Sequence, residues 1–123
     1  FELLFIISMT PMYGGWLFYS INNTQHAGLI DNSNDFRKSC RTIFLNPFLS
    51  FLYWKMNYHI EHHMFPGVPF YNLPKLHVAI RQSLPHVCNG IFETWSQIIA
   101  IQNIQKTHPN FQFNQLNPWN FSK

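Results

Sequence analysis

From Leu3 to Ile21 the chain runs through LLFIISMTPMYGGWLFYSI, 19 residues without one charged side chain. That length matches the roughly 20 residues a helix needs to cross a hydrocarbon core of about 30 Å. Residues 3–21 are therefore predicted to form a transmembrane helix; a buried helix of a soluble protein is the competing expectation. Pro11 and the pair Gly14-Gly15 would kink or loosen such a helix, which membrane helices tolerate where neighbouring helices cover the freed backbone groups. The first basic cluster, Arg37, Lys38 and Arg41, follows within about 20 residues, and the positive-inside bias sets that end in the cytoplasm.

Composition bears on what surrounds this run. Charged residues make up 11% of the chain, against about 25% in ordinary soluble domains, and aromatics reach 18%, a balance suited to contact with lipid. Mean hydropathy is only −0.12, too low for several spans. The expected fold is therefore all-α, a fragment of a membrane helix bundle with one transmembrane helix followed by a cytosolic helical cap. Because the sequence opens on Phe1 inside an apolar run, it is expected to be the C-terminal part of a longer protein. Eight Lys and Arg give a formal charge of +3, but they are dispersed and form no stripe, which argues against nucleic acid as a partner. Cys40 and Cys88 stand far apart with no CxxC, so neither a disulfide framework nor a zinc knuckle is indicated. The leading apolar run also lacks the basic flank and small-residue cleavage site of a signal peptide.

Beyond residue 21 the chain divides into a helical part over 22–106, expected to bind metal, and an irregular tail over 107–123. DNSNDF, residues 31–36, reads as a turn cluster. Asn46-Pro47 is an N-cap followed by a first-turn Pro, so a helix is predicted from residue 47 to residue 65, ahead of Pro66. FPGVPFYNLP, with three Pro and one Gly, is expected to be an ordered loop. Short helices are predicted over 75–84 and 91–106, the second with a broad apolar face that could lie on a membrane or pack on the domain.

In MNYHIEHHMF, residues 56–65, three of the chain's seven histidines fall within five positions. On a helix His59, His62 and His63 occupy i, i+3 and i+4 and share about 100° of circumference. Imidazoles held so close disfavour one another's protonation and leave neutral rings, the form that binds metal. Ligand type alone does not choose among iron, zinc, copper and nickel. His26, in NNTQHAGL just past the apolar run, could reach the same site. His77, His86 and His108 read as ordinary core or surface residues. Glu61 is either an acceptor orienting an imidazole N–H or a solvated charge. The order H-x-E-H-H matches neither zinc-peptidase pattern, and no G-x-S-x-G occurs.

NYHIEHHMFPGVPFYNLPKLH resembles the third histidine box, H-x-x-H-H, and its following context in the integral-membrane fatty acid desaturase family. QHAGL, DFRKSCRT and NPFLSFLYW resemble the segments that precede that box, so the likeness covers roughly residues 20–80. It implies a centre of two non-haem iron ions on the cytoplasmic side of a membrane, acting on an acyl lipid substrate. O₂ would be the co-substrate, and a ferredoxin-like or haem-protein partner would donate electrons. Carried onto this chain, the metal ligands are His26, His59, His62 and His63, with Asn22 or Asn23 matching a water-mediated ligand of some members. The first and second boxes are absent, so the chain by itself is expected to be inactive. Cys40 and Lys55 stand where Thr and Asn are more usual, and both departures read as peripheral. A related hydroxylase, ketolase or alkane-type monooxygenase, or a noncatalytic metal-binding membrane fragment, are the alternatives.

Overall fold

The computed structural model describes residues 1–117, apart from the side chains at positions 13, 14 and 17. Residues 118–123 of the expected tail lie outside the described residues. Among the described residues six helices, α1 (Glu2–Asn22), α2 (Phe36–Ser39), α3 (Pro47–Leu52), α4 (His59–Met64), α5 (Leu73–Ile80) and α6 (Gly90–Thr107), follow one another, with short 3₁₀ turns between some of them. Two strands of two residues, β1 (Ile43–Phe44) and β2 (Cys88–Asn89), pair in parallel with Ile43 opposite Cys88.

The uncharged run does form one helix, α1. The transmembrane expectation is nevertheless overturned, because no helix among the described residues is long and apolar enough to cross a membrane. Freedom from charge is not the same as apolarity. Ser8, Thr10, Pro11, Tyr13, Gly14, Gly15, Tyr19 and Ser20 dilute the run, and transfer free energy sums over every residue of a span. Ser8 and Ser20 spend their hydroxyls on helix carbonyls one turn back, at Leu4 and Trp16. The positive-inside argument that set the remainder in the cytosol rested on that span and falls with it. Most of α1 projects its apolar side chains outward, while Ile21 at its far end is fully buried.

The core lies beyond α1. Helix α6 packs on β1, β2 and the 3₁₀ turn Asn23–Gln25, burying Thr94, Ile98 and Ile101. Its apolar face therefore packs on the domain, although Phe92 and Ile99 stay exposed. Leu29, Ile101 and Phe113 form a tight cluster. Gly28 makes this approach possible: its φ is +73°, and a Cβ there would stand 2.7 Å from the Ile101 side chain. Part of the expected irregular tail is thereby ordered, since Phe113 donates its N–H to the Gly28 carbonyl at 2.9 Å.

The helix predicted over 47–65 is broken in two. Asn46 caps α3 by accepting the Leu49 N–H, as the Asn-Pro signal implies. After Leu52, however, the Trp54 N–H returns to Phe51 and the Lys55 N–H returns to Ser50 at 2.7 Å, the bonding pattern of a Schellman stop. Trp54 and Lys55 take φ of +52° and +54°. That stop is invisible to a reader looking for Gly at the helix end. Buried Asn57 then pins the link, accepting from Ser50 Oγ and donating to the Ile43 carbonyl, so that α4 restarts at His59. Left-handed backbone costs a residue with a Cβ about 1 kcal/mol, and Asn tolerates it best. Lys55→Asn is expected to raise unfolding free energy by about 0.5–1 kcal/mol, read as a higher urea midpoint at unchanged slope. A lower midpoint would show that the lysine is not strained.

Candidate metal centre

Three segments far apart in sequence meet at the N-terminal turn of α4. His59 and His63, one turn apart on that helix, hold their ring centroids 4.5 Å apart and their Nε2 atoms 3.1 Å apart. His26 enters from the segment after α1, its Nε2 2.9 Å from His59 Nε2. Phe36 stacks on the His63 ring at 5.1 Å and limits its rotation.

Buried Arg41 holds the His26 segment in place. Its guanidinium donates to the Thr24 carbonyl, to the Ala27 carbonyl at 3.3 Å and to Gln97 Oε1 on α6 at 3.1 Å. Its backbone N–H adds a bond to the Gln25 carbonyl at 2.8 Å. The same turn brings in Cys40, which is 2% exposed and whose carbonyl accepts from Gln115 Nε2 at 2.6 Å. One ligating atom from each of His26, Cys40, His59 and His63 lies within 4.8 Å of all the others.

Proton positions show why a cation suits this cluster. His26 Nδ1 stands 2.9 Å from the Ser39 carbonyl, an acceptor only, so Nδ1 carries the proton and Nε2 presents its lone pair. His59 Nε2 faces both other rings but owns either one proton or one lone pair. No set of neutral tautomers gives both nitrogen–nitrogen contacts a full hydrogen bond, whereas a metal ion among the lone pairs satisfies all three. Protonating the rings is no escape. Burial, then the neighbouring His63, His26 and His62, push the His59 pKa down to about 3. Burial and the His26 and His62 rings also lower that of His63.

The sequence-predicted residues do not all converge. His62, at i+3 on α4, leaves its ring 6.3 Å from His59 and 5.8 Å from His63 and stands outside the four-residue group. Among the described hydrogen bonds none links Asn22 or Asn23 to the cluster. Glu61 is neither solvated nor directed at the cluster. Fully buried, it accepts from Thr42 Oγ1 at 2.6 Å and pairs with His77 Nδ1. His77 is thus a satisfied core residue, and His86 contacts Glu93 at the surface. Cys40 is the residue that sequence reading missed. Fourteen positions from His26, it has no local spacing signal; its one sequence mark was the departure from Thr, and the fold places its sulfur in one group with three histidines.

A neutral, lone-pair-rich cluster of imidazoles on a helical scaffold defines a candidate metal-binding protein. Which one follows from comparison: the sequence model of the fatty acid desaturase family matches residues 1–95, and the chain belongs to that family. Its members bind iron, act on acyl lipids as oxidoreductases and are generally membrane-associated. Comparisons with curated proteins and with solved structures found no match.

Proposed function

We propose that this chain forms one wall of the non-haem iron centre of an acyl-lipid desaturase, which uses O₂ and electrons from a ferredoxin-like or haem-protein donor to introduce a double bond. The observation that carries this reading is the convergence of the His26, His59 and His63 nitrogens, with burial disfavouring protonation of His59 and His63, in a chain of the desaturase family. Bound there, iron supplies the oxidising power to remove two hydrogens from an unactivated pair of methylenes. The protein's own part is positional. The Ser39 carbonyl fixes the His26 tautomer, the Phe36 ring steadies His63, and burial keeps His59 unprotonated.

His62, turned aside on α4, serves the second iron of a pair, for which the described residues offer no full set of ligands. The metal face is on the cytoplasmic side of the membrane with which the family associates. Expression of the gene in a host lacking its own acyl desaturases, followed by fatty acid profiling, tests the reading. New double bonds are expected, falling by about 100-fold or more in His59→Ala. An active His59→Ala protein, or an unchanged lipid profile with the full-length gene that encodes this chain, would sink it. Hydroxylated chains in place of unsaturated ones would assign the related hydroxylation instead.

A further inference from the structure

We propose that Cys40 is a thiolate ligand of the ion held by His26, His59 and His63, so that this chain's own wall of the centre offers a divalent metal three imidazoles and one sulfur. The inference rests on the metal-binding part of the reading above and goes beyond it in donor chemistry.

Geometry is the first support. Tetrahedral donors at metal–ligand distances of about 2.0–2.3 Å stand about 3.4–3.6 Å from one another. The histidine nitrogens, at 2.9 and 3.1 Å, are already near that spacing, and the 4.8 Å limit for the whole group leaves about 1 Å of side-chain adjustment for the sulfur. Its backbone does not have to move. The Cys40 N–H is bonded to the Phe36 carbonyl and its carbonyl to Gln115, which aims the side chain inward. Both cysteines are free, so no disulfide competes for this sulfur.

Charge is the second. A divalent ion among three neutral rings keeps its full positive charge, and buried Arg41 adds another nearby. No carboxylate belongs to the group: Glu61 is engaged by Thr42 and His77, and Asp35 by Arg37. The Cys40 thiol is therefore the anion available, losing its proton to solvent as the metal–sulfur bond forms. A shell of this kind favours zinc, cobalt or ferrous iron over manganese or magnesium.

Titration of the reduced chain with Co²⁺ reads the ligand set directly. The parent chain is expected to show a sulfur-to-cobalt charge-transfer band in the near ultraviolet together with the visible bands of four-coordinate cobalt. Cys40→Thr should lose the charge-transfer band, keep visible bands from the imidazoles and bind about tenfold more weakly or worse, while Cys88→Ser should leave the spectrum unchanged. Absence of the band from the parent chain, or its survival in Cys40→Thr, overturns the assignment. Should Cys40→Thr fail to fold, X-ray absorption on the zinc-loaded parent chain decides the matter: one sulfur at about 2.3 Å supports the ligand, and a shell of nitrogen and oxygen alone refutes it. The functional reading can fail separately. Lipids without new double bonds beside a sulfur-ligated metal would leave Cys40 in its role, and a working desaturase with no sulfur in its shell would remove it.

Discussion

Glu61→Ala is expected to lower the free energy of unfolding by about 3–5 kcal/mol, the cost of leaving two buried hydrogen-bond donors without their acceptor at about 1–3 kcal/mol each. Few substitutions elsewhere in this chain should match it. The Glu61 carboxylate has no exposed surface, and it joins three elements: α4, which carries it; Thr42, next to β1; and His77 on α5. Thr42 Oγ1 also accepts the Ile60 N–H at 3.1 Å, so the same hydroxyl satisfies a donor in the first turn of α4. Truncation strands the Thr42 hydroxyl and a His77 N–H without acceptors in the interior. Glu61→Gln should cost less, about 1–2 kcal/mol. Its amide oxygen still accepts from Thr42, and its NH₂ can donate to His77 Nδ1 once that proton moves to Nε2. Urea denaturation followed by circular dichroism measures both variants. A loss below 1 kcal/mol for alanine would show that this pair does not hold α4 against α5. Since Glu61 touches none of the clustered rings, Glu61→Gln should retain cobalt binding within a few-fold, which separates loss of fold from loss of site.

The behaviour of α4 also shows what the sequence could reveal. Helical spacing correctly predicts that His59 and His63 share a face, because i and i+4 is a property of any helix turn. It does not show that His62 stands outside the four-residue group, for an arc of 100° contains residues that diverge once ring size and rotamer are considered. The helix breaks depend on the kind of signal available. Asn46-Pro47 announces the start of α3 by local chemistry, whereas the stop at Trp54 and Lys55 uses residues that ordinarily avoid φ above zero, and tertiary bonds from Asn57 hold it there. Residues 3–21 misled for another reason. Their lack of charge is a pattern, but crossing a bilayer depends on a sum, and the small and polar residues of α1 lower that sum. Cys40 and Arg41 could not be placed from sequence at all. Each matters through partners 14 or more positions away, brought close only by packing of the α2 segment against the turn that follows α1.

Acidification of the metal-free chain from about pH 7 to about pH 3 is expected to remove up to about 5 kcal/mol of stability through His59 alone. Burial, then the neighbouring imidazoles, hold its folded-state pKa down to about 3 from an ordinary value of 6.5. As pH falls through 6.5 the unfolded chain takes up a proton on this ring and the folded chain does not. The unfolded state therefore binds more protons across the whole window. Stability from this group is fully present above pH 6.5, declines through the window and is gone by about pH 3. His63, lowered by burial and its neighbours, adds in the same direction. Asp35 and Glu93, whose carboxyls are lowered by hydrogen bonds from Arg37 and from the Asn89 N–H, also lose stabilising charge toward the acid end, so the parent curve alone does not isolate the cluster. His59→Leu does, because it leaves those carboxylates in place. Urea midpoints measured with chelator from pH 7 to pH 3.5 should fall less steeply for His59→Leu than for the parent chain, and parallel curves would show that the fold does not hold this imidazole neutral. Excess Zn²⁺ at pH 7 should stabilise the parent chain by about 2.7 kcal/mol at a hundred times its dissociation constant. That gain should fade on acidification as protons compete for the same lone pairs, and it should be largely missing from His59→Leu at every pH.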